Sequence, residues 1–202
     1  MSPADVAVPD STPDSAPDHA PEGSDPIGRP SSTAAVRRGY LDQAFVGYLV
    51  YGVGAVTAFI AVKLTLSDAE AGLHSSALAV GTVLAGLTTN RLERLAGMTV
   101  MHYLGRGLLT AAAILLAWAP GLPVTLTGAG AAGLGTVLVL GHVNQIMTAG
   151  GGALARVRLT RSLLLAIITS VTVPLFIALG VAIGVGWELA LVPALILSLI
   201  HI

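Results

Sequence analysis

Six apolar stretches follow one another along this chain, and nearly all of its positive charge lies on one side of them. They span residues 41–63, 74–90, 98–118, 122–147, 163–185 and 188–202. Hydrophobic residues make up 54% of the chain and charged residues only 10%, whereas a water-soluble domain carries about a quarter charged residues. Such a chain cannot cover a soluble surface. We therefore predict an integral membrane protein whose main partner is the lipid bilayer.

Each apolar stretch is predicted to be a transmembrane helix. A segment isolated in lipid must satisfy its own backbone hydrogen bonds, and an α-helix of about 20 apolar residues does this across the bilayer. The predicted fold class is an all-α integral membrane protein with a bundle of six helices over residues 40–202. Residues 188–202 are short for a span, so we expect a truncated sixth helix, with a tilted or re-entrant helix as the alternative.

The N-terminal segment has a different composition. Residues 1–36 contain seven prolines and six acidic residues, with Arg29 as the single basic residue. Such a segment has too little apolar surface to offset its ordering entropy. We predict a disordered tail over residues 1–39.

The basic residues predict the orientation of the chain. If the spans alternate across the membrane, seven arginines fall on one side of it and only Lys63 lies in the loops of the other side. The seven are Arg37, Arg38, Arg91, Arg94, Arg156, Arg158 and Arg161. Short loops rich in Lys and Arg stay cytoplasmic. We predict a multi-pass protein of the cell membrane with a cytoplasmic N-terminus.

Composition also argues against several function classes. The formal net charge is −1, which does not suggest nucleic acid as a partner, and the chain has no cysteine. The histidines show no metal-ligand spacing, and the acidic residues are placed in the tail, in loops or at span ends. There is no GxSG serine motif and no pair of aspartates within spans. We predict no catalytic residues, no metal, no cofactor and no enzymatic activity.

A motif follows the second span. It reads Gly86-Leu-Thr-Thr-Asn90-Arg91-Leu-Glu93-Arg94. It resembles the cytoplasmic loop motif of the major facilitator superfamily, G-x-x-x-D-R-x-G-R, with Asn90 in place of the aspartate and Glu93 in place of the second glycine. In that family the loop latches two halves of a transporter in the outward-open state. The arginines also fit a simpler interpretation as topology signals, and the sequence does not separate the two.

The resemblance covers residues 40–202 and implies the N-terminal six-helix half of such a transporter. It implies two inverted three-helix repeats and transport of a small, unidentified solute by alternating access. The partner would be a missing C-terminal six-helix half or a second copy of the chain. The alternative hypothesis is a complete small six-helix membrane protein that acts as a channel subunit or an assembly factor.

Arg106 is the most conspicuous candidate for the substrate pathway, because it is the one Lys or Arg placed inside a span. A charge at the bilayer centre costs about 2.5–3.5 kcal/mol on insertion scales. Its side chain either snorkels to the inner interface or faces a cavity and binds an anionic solute. His102 lies one turn earlier on the same side of the helix.

Four further polar residues are candidates for the pathway. Tyr48 and Tyr51 lie three residues apart on the first span and are expected to share a face, where they either line a cavity or pack with satisfied hydroxyls. Asn144 and Gln145 lie near the inner end of the fourth span. They either cap the interface or line the inner mouth of the pathway.

Overall fold

A computed structural model describes residues 32–199 of the chain, and every regular element in that range is helical. The elements are α1 (Thr33–Leu64), α2 (Asp68–Ala96), α3 (Met98–Trp118), α4 (Leu122–Thr148), α5 (Gly152–Ala182), a 3-10 helix (Trp187–Leu191) and α6 (Val192–Leu199). Five of them, α1 to α5, are long and apolar enough to cross a membrane. The predicted all-α class is confirmed to this extent, and it is consistent with a multi-pass membrane protein.

The helices extend beyond the predicted apolar spans. The structure begins α1 at Thr33, so residues 33–39 are helical and do not belong to a disordered tail. The Oγ of Ser32 caps this end by accepting a hydrogen bond from the backbone N–H of Ala35 at 3.2 Å. Alanine and arginine fill most of the following turn, and both are strong helix formers. The rest of the predicted tail, residues 1–31, lies outside the described residues.

The sixth predicted span is represented by short elements. The apolar helical stretch Trp187–Ser198 is shorter than a membrane-spanning helix, and residues 200–202 lie outside the described residues. Gly184 and Gly186 precede it with positive φ angles of 74° and 103°. Glycine adopts this conformation without steric cost, which lets the chain turn between α5 and the 3-10 helix.

Two helices occupy the centre of the bundle. α1 packs mainly against α5 and then α4, whereas α4 packs mainly against α3 and α2. Half of the apolar window of α1 is buried, compared with 17% for α2 and 22% for α5. α2 and α5 therefore form the outer flanks. Their exposed leucine, isoleucine and valine side chains suit a hydrocarbon surrounding.

Small residues bring the paired helices into close contact. A Cβ on Gly47 of α1 would lie 2.6 Å from the backbone of Ala166 of α5. A Cβ on Gly133 of α4 would lie 2.1 Å from the carbonyl oxygen of Leu78 of α2. Helix association in lipid depends on such van der Waals contact, because lipid tails are as apolar as the side chains. Glycine is therefore required at both crossings.

Candidate functional site

Four ionisable side chains meet inside the bundle, at the place where α1, α3 and α4 converge. Asp42 comes from α1, His102 and Arg106 from α3, and His142 from α4. We call these four residues the buried polar cluster, although His142 itself is only half-buried. Arg106 lies about 12 Å along α3 from its first residue, at 1.5 Å per residue. Ionisable residues at such depths are rare and mark functional sites by default.

Arg106 is held by a partner that the sequence interpretation did not name. Its Nη1 donates a short hydrogen bond to Oδ1 of Asp42, and the two residues are only 7% and 3% exposed. Its Nη2 donates to the backbone carbonyl of Ser198 at 3.1 Å and more weakly to that of Leu197 at 3.4 Å. Arg106 therefore does not snorkel to the interface. The planar guanidinium of Arg106 on α3 instead connects to α1 through one nitrogen and to α6 through the other. Arginine can do this because its N–H donors are arranged as a rigid fork.

The two histidines lie beside this ion pair. The Nε2 of His102 is 3.5 Å from Oδ2 of Asp42, and the ring centroids of His102 and His142 are 4.4 Å apart. The Nδ1 atoms of both rings are buried and have no hydrogen-bond partner within the described part of the chain. A buried polar atom without a partner is costly, so each one requires an explanation.

Close packing of α3 on α4 makes this arrangement geometrically possible. A Cβ on Gly105 would lie 2.9 Å from the carbonyl oxygen of Gly135, and a Cβ on Gly135 would lie 2.6 Å from that of Gly105. Any larger residue would force the helices apart. Gly105 precedes Arg106 directly, so this close contact between α3 and α4 lies beside the four ionisable residues.

The two tyrosines do not share an environment, contrary to the expectation of a common face. Tyr48 is buried, donates its hydroxyl to the carbonyl of Ala190 at 2.6 Å, and packs edge-on against Phe176. It therefore has the satisfied hydroxyl that the packing interpretation required. Tyr51 is 63% exposed on the outside of α1.

The motif residues lie on a helix rather than in a loop. Gly86, Asn90, Arg91, Glu93 and Arg94 all belong to the last turns of α2, which continues to Ala96. The Nε of Arg94 donates to the carbonyl of Asn90 at 3.1 Å. The loop to α3 is reduced to Gly97, whose φ of 83° ends the helix.

Part of the motif lines a groove of about 500 Å³ at this end of the bundle. Its lining residues are Asn90, Glu93, Arg94, Met98 and Gln145. Gln145 and its neighbour Asn144 are exposed at the end of α4. The structure thus brings Gln145 to the motif, but it does not bring Asn144 or Gln145 to the buried polar cluster.

The opposite end of the bundle contains a smaller polar group. Lys63 forms an ion pair with Glu188 at 3.2 Å and donates to the carbonyl of Trp118 at 3.4 Å. Its Nζ also lies 5.4 Å from the ring centre of Trp187. These side chains are partly exposed, and exposed ion pairs contribute little to stability.

Two members of the buried polar cluster are missing from the sequence-derived candidates. The apolar pattern places Asp42 at a span end, but α1 begins at Thr33 and the carboxylate is buried inside the bundle. His142 is a single histidine in an apolar run and so gives no pattern. One general rule points to both residues: an ionisable residue inside a membrane span is a functional candidate, and its partner should be sought on another helix.

The cluster does not resemble a metal site. Among residues 32–199, no group of three or more His, Cys, Asp or Glu side chains has an arrangement that could hold a metal ion. The arrangement is instead suited to charge pairing and proton exchange between adjacent side chains. Comparisons of the chain with protein families, curated proteins and solved structures find no match.

Proposed function

We propose that this chain is a six-helix half of a secondary transporter of the major facilitator type, and that it moves a small solute by alternating access. The observation that carries the proposal is the pairing of its helices. If helices 1–3 and 4–6 form two inverted repeats, then α1 corresponds to α4 and α2 to α5. The contact of α1 with α5 then corresponds to the contact of α4 with α2, and both are extensive.

The glycine contacts support the same correspondence. Gly47 meets Ala166 in the N-terminal halves of α1 and α5, and Gly133 meets Leu78 in the N-terminal halves of α4 and α2. Inverted repeats place equivalent contacts at opposite ends of the bundle, because the two pairs run in opposite directions through the membrane.

The position of the buried polar cluster adds further support. Asp42, His102 and Arg106 come from the first proposed repeat, whereas His142 and the carbonyl of Ser198 come from the second. Transporters built from inverted repeats bind substrates and coupling ions where the repeats meet.

An exposed stripe along α1 supports the proposal of a second six-helix bundle. Tyr51, Gly54 and Ala58 are exposed at helical spacing on a helix that is otherwise largely buried. Ala58 also lines a groove of about 700 Å³ that includes Thr57 and Asp68 between α1 and α2. In the proposed transporter, the stripe lines the solute pathway between this bundle and a second one, supplied by another segment of the protein or by a second copy.

The proposed orientation places the arginine-rich ends of α2 and α5 in the cytoplasm of a cell membrane. The distribution of arginines supports it through the positive-inside rule. The motif at the end of α2 then faces the cytoplasm, as it does in the family it resembles.

Cysteine accessibility tests the proposed pathway without knowledge of the solute. The chain has no cysteine, so Gly54→Cys introduces a single thiol at a position with open space. Maleimides react with thiols in water, and alternating access predicts labelling of this thiol by an impermeant maleimide from either side of the membrane. Ala113→Cys, in the core of α3, is the matched control and should stay unlabelled. Labelling from one side only would contradict alternating access and favour the channel-subunit or assembly-factor hypothesis.

A further inference from the structure

The two unpartnered ring nitrogens of the buried polar cluster belong to adjacent rings. His102 Nδ1 and His142 Nδ1 are both buried, and the rings that carry them are 4.4 Å apart between centroids. A neutral imidazole has one nitrogen that bears a hydrogen and one that is bare. The Nε2 of His102 faces the carboxylate of Asp42, so its hydrogen belongs there. The Nδ1 of His102 is then a bare, buried acceptor beside the ring of His142.

Asp42 is placed to balance a second positive charge. Its Oδ1 is engaged by Arg106, whereas its Oδ2 faces His102. A carboxylate has enough lone pairs to accept hydrogen bonds from two cations at once. One negative charge is therefore shared between a permanent cation, Arg106, and an imidazole that becomes a cation when it gains a proton.

The groups that surround the two rings come from every neighbouring helix. From α3 they are Arg106 and the ring of Tyr103, which meets His102 edge-on at 5.6 Å. From α2, Glu93 reaches the neighbour of His142, with its Oε1 3.6 Å from the position of a Cβ on Gly141. From α6, the contribution is the carbonyl oxygens that hold Arg106. Asp42 is the carboxylate that faces the pair, whereas Glu93 lies beside Gly141, the residue before His142.

We propose that His102 and His142 form a binding site for one proton, which is held between the two rings and balanced by Asp42. The two Nδ1 atoms do not hydrogen-bond each other in the structure, so proton binding requires one ring to rotate until its N–H points to the bare Nδ1 of the other, which satisfies both atoms. No covalent bond other than N–H forms or breaks.

The role of this site rests on the proposed function, in which the bound proton is the coupling ion. Inverted-repeat transporters hold coupling ions where their repeats meet, and His102 and His142 come from different proposed repeats. Histidine is also the side chain whose ordinary titration falls near neutral pH. Proton binding itself does not depend on transport and is measurable without a solute.

The test is nuclear magnetic resonance of the histidine ring nitrogens in the intact chain in lipid nanodiscs. The chemical shift of each ring nitrogen distinguishes bare from protonated atoms. Between about pH 4 and 8, one transition should involve the rings of His102 and His142 together. Either His102→Gln or His142→Gln should remove it. Far-ultraviolet circular dichroism should show unchanged helix content in both variants.

His74→Gln is the matched control. His74 is also buried, but both of its ring nitrogens have partners, Ala71 O at 3.1 Å and Thr125 Oγ1 at 2.8 Å. The transition of His102 and His142 should survive in this variant. Two results would overturn the proposal. Either both rings remain neutral throughout the titration, or each ring titrates separately and is unaffected when the other histidine is replaced. A shared transition in a protein that transports no solute would leave the proton site intact and count against the proposed function alone.

Discussion

Arg106 and Asp42 connect the third and first helices through an ion pair buried inside an apolar bundle, although 64 positions separate them in the chain. Neither side chain would be stable there alone, because an isolated charge in a medium of low dielectric constant loses its hydration without compensation. The pair also engages α6 through the carbonyl of Ser198. Three helices thus depend on one electrostatic contact, and the predictions begin there.

We expect Asp42→Asn to destabilise the bundle strongly. The change leaves Arg106 buried with no negative partner, and breaking a buried pair in this way costs about 3–5 kcal/mol. The double variant Asp42→Asn with Arg106→Gln removes both charges and should recover most of the loss. The measurement is the free energy of unfolding in detergent micelles. Equal stability of the single variant and the original chain would contradict the structural role of the pair.

Arg106→Lys should preserve the ion pair but loosen α6. Lysine places one compact charge next to Asp42 and lacks the second arm that donates to the carbonyl of Ser198. Amide hydrogen exchange should become faster by about an order of magnitude in α6, which corresponds to the loss of about 1.4 kcal/mol of protection. Exchange in the core of α5 should stay unchanged. Arg91→Lys, at an exposed position on α2, is the control, and equal effects of the two substitutions would contradict the prediction.

Gly105→Ala should destabilise the contact between α3 and α4. The new Cβ would lie 2.8 Å from the Cβ of Leu138 and 2.9 Å from the carbonyl of Gly135, which forces the helices to shift. Overpacking of this kind costs about 1–3 kcal/mol. Gly107→Ala, two residues along the same helix, has open space and is the matched control. It should be neutral or slightly stabilising, since alanine is the better helix former. Thermal unfolding of both variants decides between these outcomes.

The apolar cores of the helices were predictable from the sequence, because span length follows directly from bilayer thickness. The bounds of α3, residues 98–118, agree with the prediction, since Gly97 and Pro120 interrupt the helix at both ends. The bounds of α1 and α5 differ, because a helix does not stop where the apolar residues stop. Alanine and arginine carry α1 back to Thr33, and the arginine-rich segment from Arg156 to Arg161 is part of α5.

The buried polar cluster was only half predictable. His102 and Arg106 share a helix face at a spacing of four residues, which periodicity reveals. Their partners Asp42 and His142 come from other helices, and helix-to-helix register is set by contacts such as Gly105 with Gly135. A single sequence carries no direct record of such contacts. Tyr48 shows the same limit, because its hydroxyl partner, the carbonyl of Ala190, lies 142 positions away.

Single cysteines at the two ends of the bundle test the orientation of the chain. Ala69, in the first turn of α2, and Ala153, in the first turn of α5, are exposed, and neither side chain takes part in a cap. The positive-inside rule predicts that Ala69→Cys faces outward and that Ala153→Cys faces the cytoplasm, next to the arginines of α5. An impermeant maleimide should therefore label Ala69→Cys in intact cells and label Ala153→Cys only after the membrane is opened. The reverse pattern would show that the arginines do not set the topology, and the motif at the end of α2 would then face away from the cytoplasm.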